Sequence, residues 1–158
     1  MAWLKVYQWE GETWPQFKTI KLDRARQTAI IKKLARHFKV DAPALIQSYR
    51  HGVARGEGGG HYEPSTWHSK IAVGKITTLA TICHEFAHHL SYRLHGRPKQ
   101  WHGPKFKRCL KRTYTWAKRW LPIQIENQPP SVMYSNIEVA PAPDGGTVLG
   151  GKELGSGA

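Results

Sequence analysis

Hydrophobic and polar positions divide roughly the first 125 residues into short alternating runs and longer helical stripes. Residues 3–9 alternate weakly, with Trp3, Leu4, Val6 and Trp9 as apolar positions, and read as a short strand or an extended arm. From Leu22 to Phe38 the period lengthens. Ile30, Leu34 and Phe38 recur at helical spacing and Asp23 stands near the start, while Arg24, Arg26, Lys32, Lys33 and Arg36 fall on the solvent side. Ala44 to Tyr49 predicts a strand, and residues 55–60 (RGEGGG) a flexible turn region. His61–Pro64 and Ser69–Gly74 predict a bent strand pair, the second member leaving the sheet just before the next helix. That helix is expected from about Thr77 to Leu94, with Leu79, Ile82, Cys83, Phe86 and Leu90 as its buried stripe and Gly96 and Pro98 as its stop. A last helix starts near Gly103 and Pro104, repeats Phe106, Leu110, Thr113, Ala117 and Leu121 every three or four residues, and ends at Pro122.

After Gln128 the character changes to Pro129-Pro130, Pro141, Pro143, Gly145-Gly146 and a closing GGKELGSGA, with Ile137–Val139 as one further strand. The expected organisation is an α+β domain over residues 1–125 and a Pro/Gly-rich extension over 126–158, its last twenty residues mostly disordered. The 158 residues and 40% hydrophobic content allow one modest core. The two cysteines, Cys83 and Cys109, make no disulfide framework and are expected as buried free thiols. The first residues turn charged too early for a signal peptide, and no apolar run reaches the ~18 residues of a membrane span. The expectation is a cytoplasmic monomer. A net charge of +13, from 24 Lys+Arg against 11 Asp+Glu, favours polyanionic partners or acidic protein surfaces.

The chemistry concentrates in His84-Glu85-Phe86-Ala87-His88. On a helix the two imidazoles, four residues apart, lie one above the other and can reach one zinc ion, while Glu85 can take a proton from the water that the metal activates. A third ligand is needed if one position is to stay open. His89 points ~100° round the helix from His88 and is disfavoured, and His95 sits near the helix end. Ser91 and Leu94 stand where a metzincin needs glycine and histidine, and no acidic residue occurs between Glu85 and Glu126 to serve as a glutamate ligand. His102, at the first turn of the following helix, is the third ligand by position and by elimination. His89 and His95 read as solvent-facing or hydrogen-bonded histidines instead.

The pair HEFAHHL at 84–90 and HGPKF at 102–106 resembles the SprT-like zinc metallopeptidases, over roughly residues 20–121. The resemblance implies a minimal gluzincin-like core, a small antiparallel or mixed sheet packed on about three helices, with zinc on His84, His88 and His102 and Glu85 as general base. No cysteine follows Cys109 in this sequence, so the zinc ribbon that many relatives carry is not expected.

A second donor for the developing oxyanion is sought among Tyr62, His61, His68 and Tyr114. Ser69–Gly74 is expected as an edge strand that pairs with an extended peptide. Arg93, Arg97, Lys99, Lys105, Lys107, Arg108, Lys111 and Arg112, with Lys118 and Arg119, occupy one acid-free segment interleaved with Trp101, Tyr114, Trp116 and Trp120. Aromatics beside cations can stack exposed bases while the charges follow phosphates, which points to single-stranded or junction DNA. The leading expectation is a zinc endopeptidase acting on protein substrates near nucleic acid. The alternative is a non-enzymatic nucleic-acid-binding module with a structural zinc.

Overall fold

The structure is a computed structural model and describes residues 2–48 and 59–126. It is a small α+β fold. The order is α1 (Ala2–Thr13), a 3₁₀ turn (Pro15–Lys18), β1 (Lys21–Leu22), α2 (Arg24–Phe38), β2 (Ala44–Gln47), β3 (Gly60–Glu63), β4 (Lys70–Val73), β5 (Thr77–Thr78), α3 (Leu79–His95) and α4 (Pro104–Glu126). The expected C-terminal extension, including Ile137–Val139, lies outside the described residues apart from Glu126, and so does most of the glycine-rich turn before Gly60.

Local chemistry accounts for the helix ends. Asp23 caps α2 by accepting the Arg26 N–H at 2.9 Å. Thr78 caps α3 in the same way, its Oγ1 accepting the Thr81 N–H at 3.1 Å. Gly96 ends α3 at φ 72°, a left-handed value that costs glycine nothing, and its N–H reaches the Tyr92 carbonyl at 2.8 Å. Proline opens α4 where a missing N–H is harmless.

Two short sheets join the helices. β1 pairs antiparallel with β5, while β2, β4 and β3 form a mixed sheet in that order, β2 parallel and β3 antiparallel to β4. The expected edge strand is therefore the central one. Ala44–Gln47 pairs with Lys70–Val73 on the side opposite β3, so β4 has no unpaired edge to offer a peptide. Among the described residues the edges of this sheet are β2 and β3.

Two further expectations are corrected. Residues 3–9 belong to helix α1, not to a strand: Val6 and Glu10 stand four apart and are both buried on one helical face, a spacing that suits a helix and that the brief alternation concealed. Helix α4 also runs through Pro122 to Glu126, since a proline near a helix end removes one donor without unwinding the turn before it.

The predicted stripe of α3 is buried throughout, as are Phe106, Leu110, Thr113 and Ala117 of α4, which packs along it. Cys83 and Cys109 are free and buried. Gln27, fully buried in α2, donates to the carbonyls of Leu22, Gly74 and Lys75 at 2.9, 3.3 and 3.1 Å. It ties α2 to the turn that delivers the chain into α3. No helix among the described residues is long and apolar enough to cross a membrane.

Candidate metal centre

His84 and His88 occupy successive turns of α3, and the turn from Gly96 to Gly103 folds α4 back so that His102 meets them. One ligand atom from each of the three lies within 4.8 Å of the others. His84 Nε2 and His102 Nε2 are 3.2 Å apart. Two imidazole nitrogens on a tetrahedral ion at ~2.0–2.1 Å stand ~3.4 Å apart, so the pair already has the spacing that a metal such as zinc needs. Burial, reinforced by the neighbouring imidazoles, lowers the His88 pKa to about 2, and burial lowers that of His102 as well. Both rings are thereby held in the neutral form that binds a metal.

The rings are oriented in different ways. His84 donates its Nδ1–H to Glu10 Oε1 at 2.9 Å, which leaves Nε2 with the lone pair that faces His102. Glu10 is buried in α1 and also accepts the Tyr114 hydroxyl at 3.1 Å, which lies 3.3 Å from the Ala80 carbonyl as well. His88 Nδ1 has no hydrogen-bond partner; its ring is sandwiched between Phe106, with centroids 4.2 Å apart, and Tyr62, at 6.4 Å and nearly parallel. Phe106 also meets His84 at 5.1 Å and His102 at 4.9 Å. The phenylalanine four positions after His102 is thus the apolar floor of all three imidazoles.

Glu85 is buried beside the cluster, and a cleft of about 770 Å³ opens onto it, His84, His88 and His102. Burial raises the Glu85 pKa to about 7, Glu10 adding to the effect and His84 opposing it. Gly60 of β3 lies against this carboxylate. A Cβ there would come within 2.7 Å of Glu85 Cγ, 2.8 Å of Thr81 Cγ2 and 2.9 Å of Glu85 Oε1. The last glycine of the GEGGG run therefore serves close approach of strand to helix.

The sequence-nominated oxyanion donors separate clearly. Tyr114 is fully buried and committed to Glu10 and Ala80. Tyr62 lines the cleft, but its hydroxyl is engaged, 2.9 Å from Ser69 Oγ and 3.3 Å from His89 Nδ1. His68 is exposed in the β3–β4 turn and does not line the cleft, whereas His61 of β3 does. His89 is a hydrogen-bonded core residue, its Nε2–H donated to the Asp41 carbonyl at 2.8 Å. His95 is exposed at the end of α3.

Sequence reasoning passed over two cleft residues of α1. One is Glu10, which with Glu12 is an acid in an aromatic stretch. The other is Tyr7, one turn earlier on the same face, its ring stacked on His84 at 5.0 Å and 12° and edge-on to His102 at 5.9 Å. Burial, then the charges of Glu85 and Glu10, raise the Tyr7 pKa.

The basic residues are dispersed. Arg93 is tied to Asp41 at 2.6 Å and to the Thr66 carbonyl at 2.9 Å. Arg112 lies over Phe38, and Trp116 packs on His37 and Trp120. Arg97 and Trp101 line the metal cleft. Lys99 and Lys105, with Arg97 and Arg108, surround a second concavity at the α3–α4 turn. Lys107, Arg108 and Lys111 line a groove of about 410 Å³ with Lys5 and Trp9 of α1.

Replacing Glu10 with Ala should weaken metal affinity by ~10–100-fold, because His84 loses the carboxylate that orients it; chelator competition would measure it, and unchanged affinity would remove Glu10 from the site. Gly60→Ala should leave metal stoichiometry intact while displacing Glu85, seen as an altered Glu85 environment in a crystal structure of the variant.

Residues 71–128 match the model of one protein family, described as the SprT-like family. No curated protein and no solved structure matches the chain.

Proposed function

Because residues 71–128 belong to the SprT-like family, we propose that this chain is a zinc-dependent endopeptidase that hydrolyses peptide bonds. One observation carries the reading: a buried carboxylate, Glu85, opens into the same cleft as three converging imidazoles. A purely structural metal site has no use for an unpaired buried acid or for an open approach. His84, His88 and His102 would hold the zinc. When bound there, zinc supplies Lewis acidity, which eases deprotonation of water and polarises the scissile carbonyl.

The chain's own residues do the rest. Glu85 accepts the proton of the attacking water at its carboxylate and hands it to the leaving amide nitrogen. Its raised pKa, about 7, suits both halves of that exchange, since a base near neutrality can also give the proton back. Glu10 keeps His84 in the tautomer that presents Nε2. An extended peptide fits along β3, whose residues 60–63 line the cleft, through backbone pairing that asks little of side-chain identity. Glu85→Gln should abolish cleavage of an unfolded protein substrate while zinc per chain stays at the wild-type value. Equal turnover by that variant would sink the mechanism.

Substrates near nucleic acid are the class favoured by the surface. The groove of Lys5, Lys107, Arg108 and Lys111 around Trp9 offers cations and an aromatic face together. Nucleic acid held there would bring enzyme and bound protein to high local concentration. Single-stranded DNA should then accelerate cleavage of a DNA-bound protein by the wild type and not by the Lys107→Glu/Lys111→Glu double variant. Strong turnover indifferent to DNA would instead assign the basic face to acidic protein.

A further inference from the structure

Cleaving an amide requires a group to meet the negative charge that develops on the carbonyl oxygen, and a second hydrogen-bond donor is worth roughly 10²–10³ in kcat. Of the four donors that the sequence nominated, Tyr114 and Tyr62 have their hydroxyls engaged by neighbouring groups, and His68 stands outside the cleft. Helix α1 brings another hydroxyl. Tyr7 lines the metal cleft and also the adjoining concavity on its far side; these two spaces share His84 and Glu85. Its ring is stacked on one zinc-ligand imidazole and meets the edge of another, yet 47% of the residue remains exposed. The ring that packs on these imidazoles is thus also accessible from the cleft.

The placement is also held firmly. Glu10, one turn further along the same face of α1, is buried and bonded to both His84 and Tyr114. The hydrogen bond that orients the ligand imidazole therefore fixes the helix carrying Tyr7.

Resting on the peptidase reading above, we propose that Tyr7 is the substrate-contacting hydroxyl of this cleft, donating its O–H to the oxyanion as water adds to the scissile carbonyl. In that step the water oxygen bonds to carbon and the C=O π pair moves onto the oxygen that Tyr7 meets. The water proton goes to Glu85. On collapse the C–N bond breaks and the same proton leaves with the amine. Tyr7 loses no proton in the cycle; it stabilises charge.

The test compares wild type, Tyr7→Phe and His61→Gln as full, zinc-loaded chains. The phenylalanine keeps the ring and its stacking. Peptide cleavage gives kcat and KM, elemental analysis gives zinc per chain, and calorimetry gives the affinity of a phosphinic peptide, a stable tetrahedral anion. Tyr7→Phe should lose roughly 10²–10³ in kcat with KM little changed. The phosphinic peptide should loosen in proportion, and zinc and melting temperature should match wild type. Wild-type kcat and phosphinic affinity in Tyr7→Phe would overturn the assignment, and the same losses in His61→Gln would pass the role to that imidazole. A wild-type chain that binds zinc and cleaves nothing would instead overturn the peptidase reading, and Tyr7 with it.

Discussion

Every residue of α3 from Ile82 to Ser91 is buried, and three of those ten carry imidazole rings. A helix covered on all sides needs neighbours on all sides, and a buried imidazole must be either partnered or held by packing. Much of the fold is the answer to that demand. α1 brings a carboxylate to His84. β3 and α4 bring Tyr62 and Phe106 to the two faces of His88. The segment before β2 brings the Asp41 carbonyl to His89, and β3 brings the Tyr62 hydroxyl to the same ring. Three adjacent solutions to one problem differ because only two of the rings turn toward the cleft.

The same constraint explains why the surrounding elements are short and closely set. β3 must come near enough to α3 to wall in Glu85, and a side chain at position 60 would prevent it. The α3–α4 connection must be tight enough to return His102 to its partners within a single turn of chain, with Gly96 as the hinge where an ordinary residue would be strained. Aromatic area does the rest of the assembly. Trp14, Phe17 and Tyr114 stack in succession against the base of α3, at 5.0 to 6.0 Å, and seat the N-terminal segment on the core.

Much of the centre was legible because its determinants are local. Imidazoles four apart on an apolar stripe declare a shared face, and glycine, proline and threonine at the right offsets declare where α3 and α4 begin and where α3 ends. His102 and Phe106 could be read from one short motif, although only packing shows that the phenylalanine touches all three rings. What was not legible depends on partners far along the chain. Glu10 is an ordinary acid until α1 is placed 74 positions away from His84 in sequence and hydrogen-bonded to it. Tyr7 is an ordinary aromatic in a stretch too brief for its period to be decided. β4 reads locally as a half-covered strand, and its central position follows from parallel pairing with β2, which no neighbouring residue announces. Gly60 looked like slack in a loop because the atoms that forbid a side chain there belong to a helix two strands later.

The bond network around Glu10 also has a consequence in time. It joins residue 10 to residue 84 and residue 114, the last pair 104 positions apart. A polypeptide is made from its N-terminus at a few residues per second, and early segments leave the ribosome long before late ones. The carboxylate that steadies the first imidazole is therefore synthesised before all of its partners, while His102, Phe106 and Tyr114 follow well after it. No growing chain can close this centre until α4 has emerged, so a chain made only as far as the end of α3 carries two of the three imidazoles without the third or the pocket.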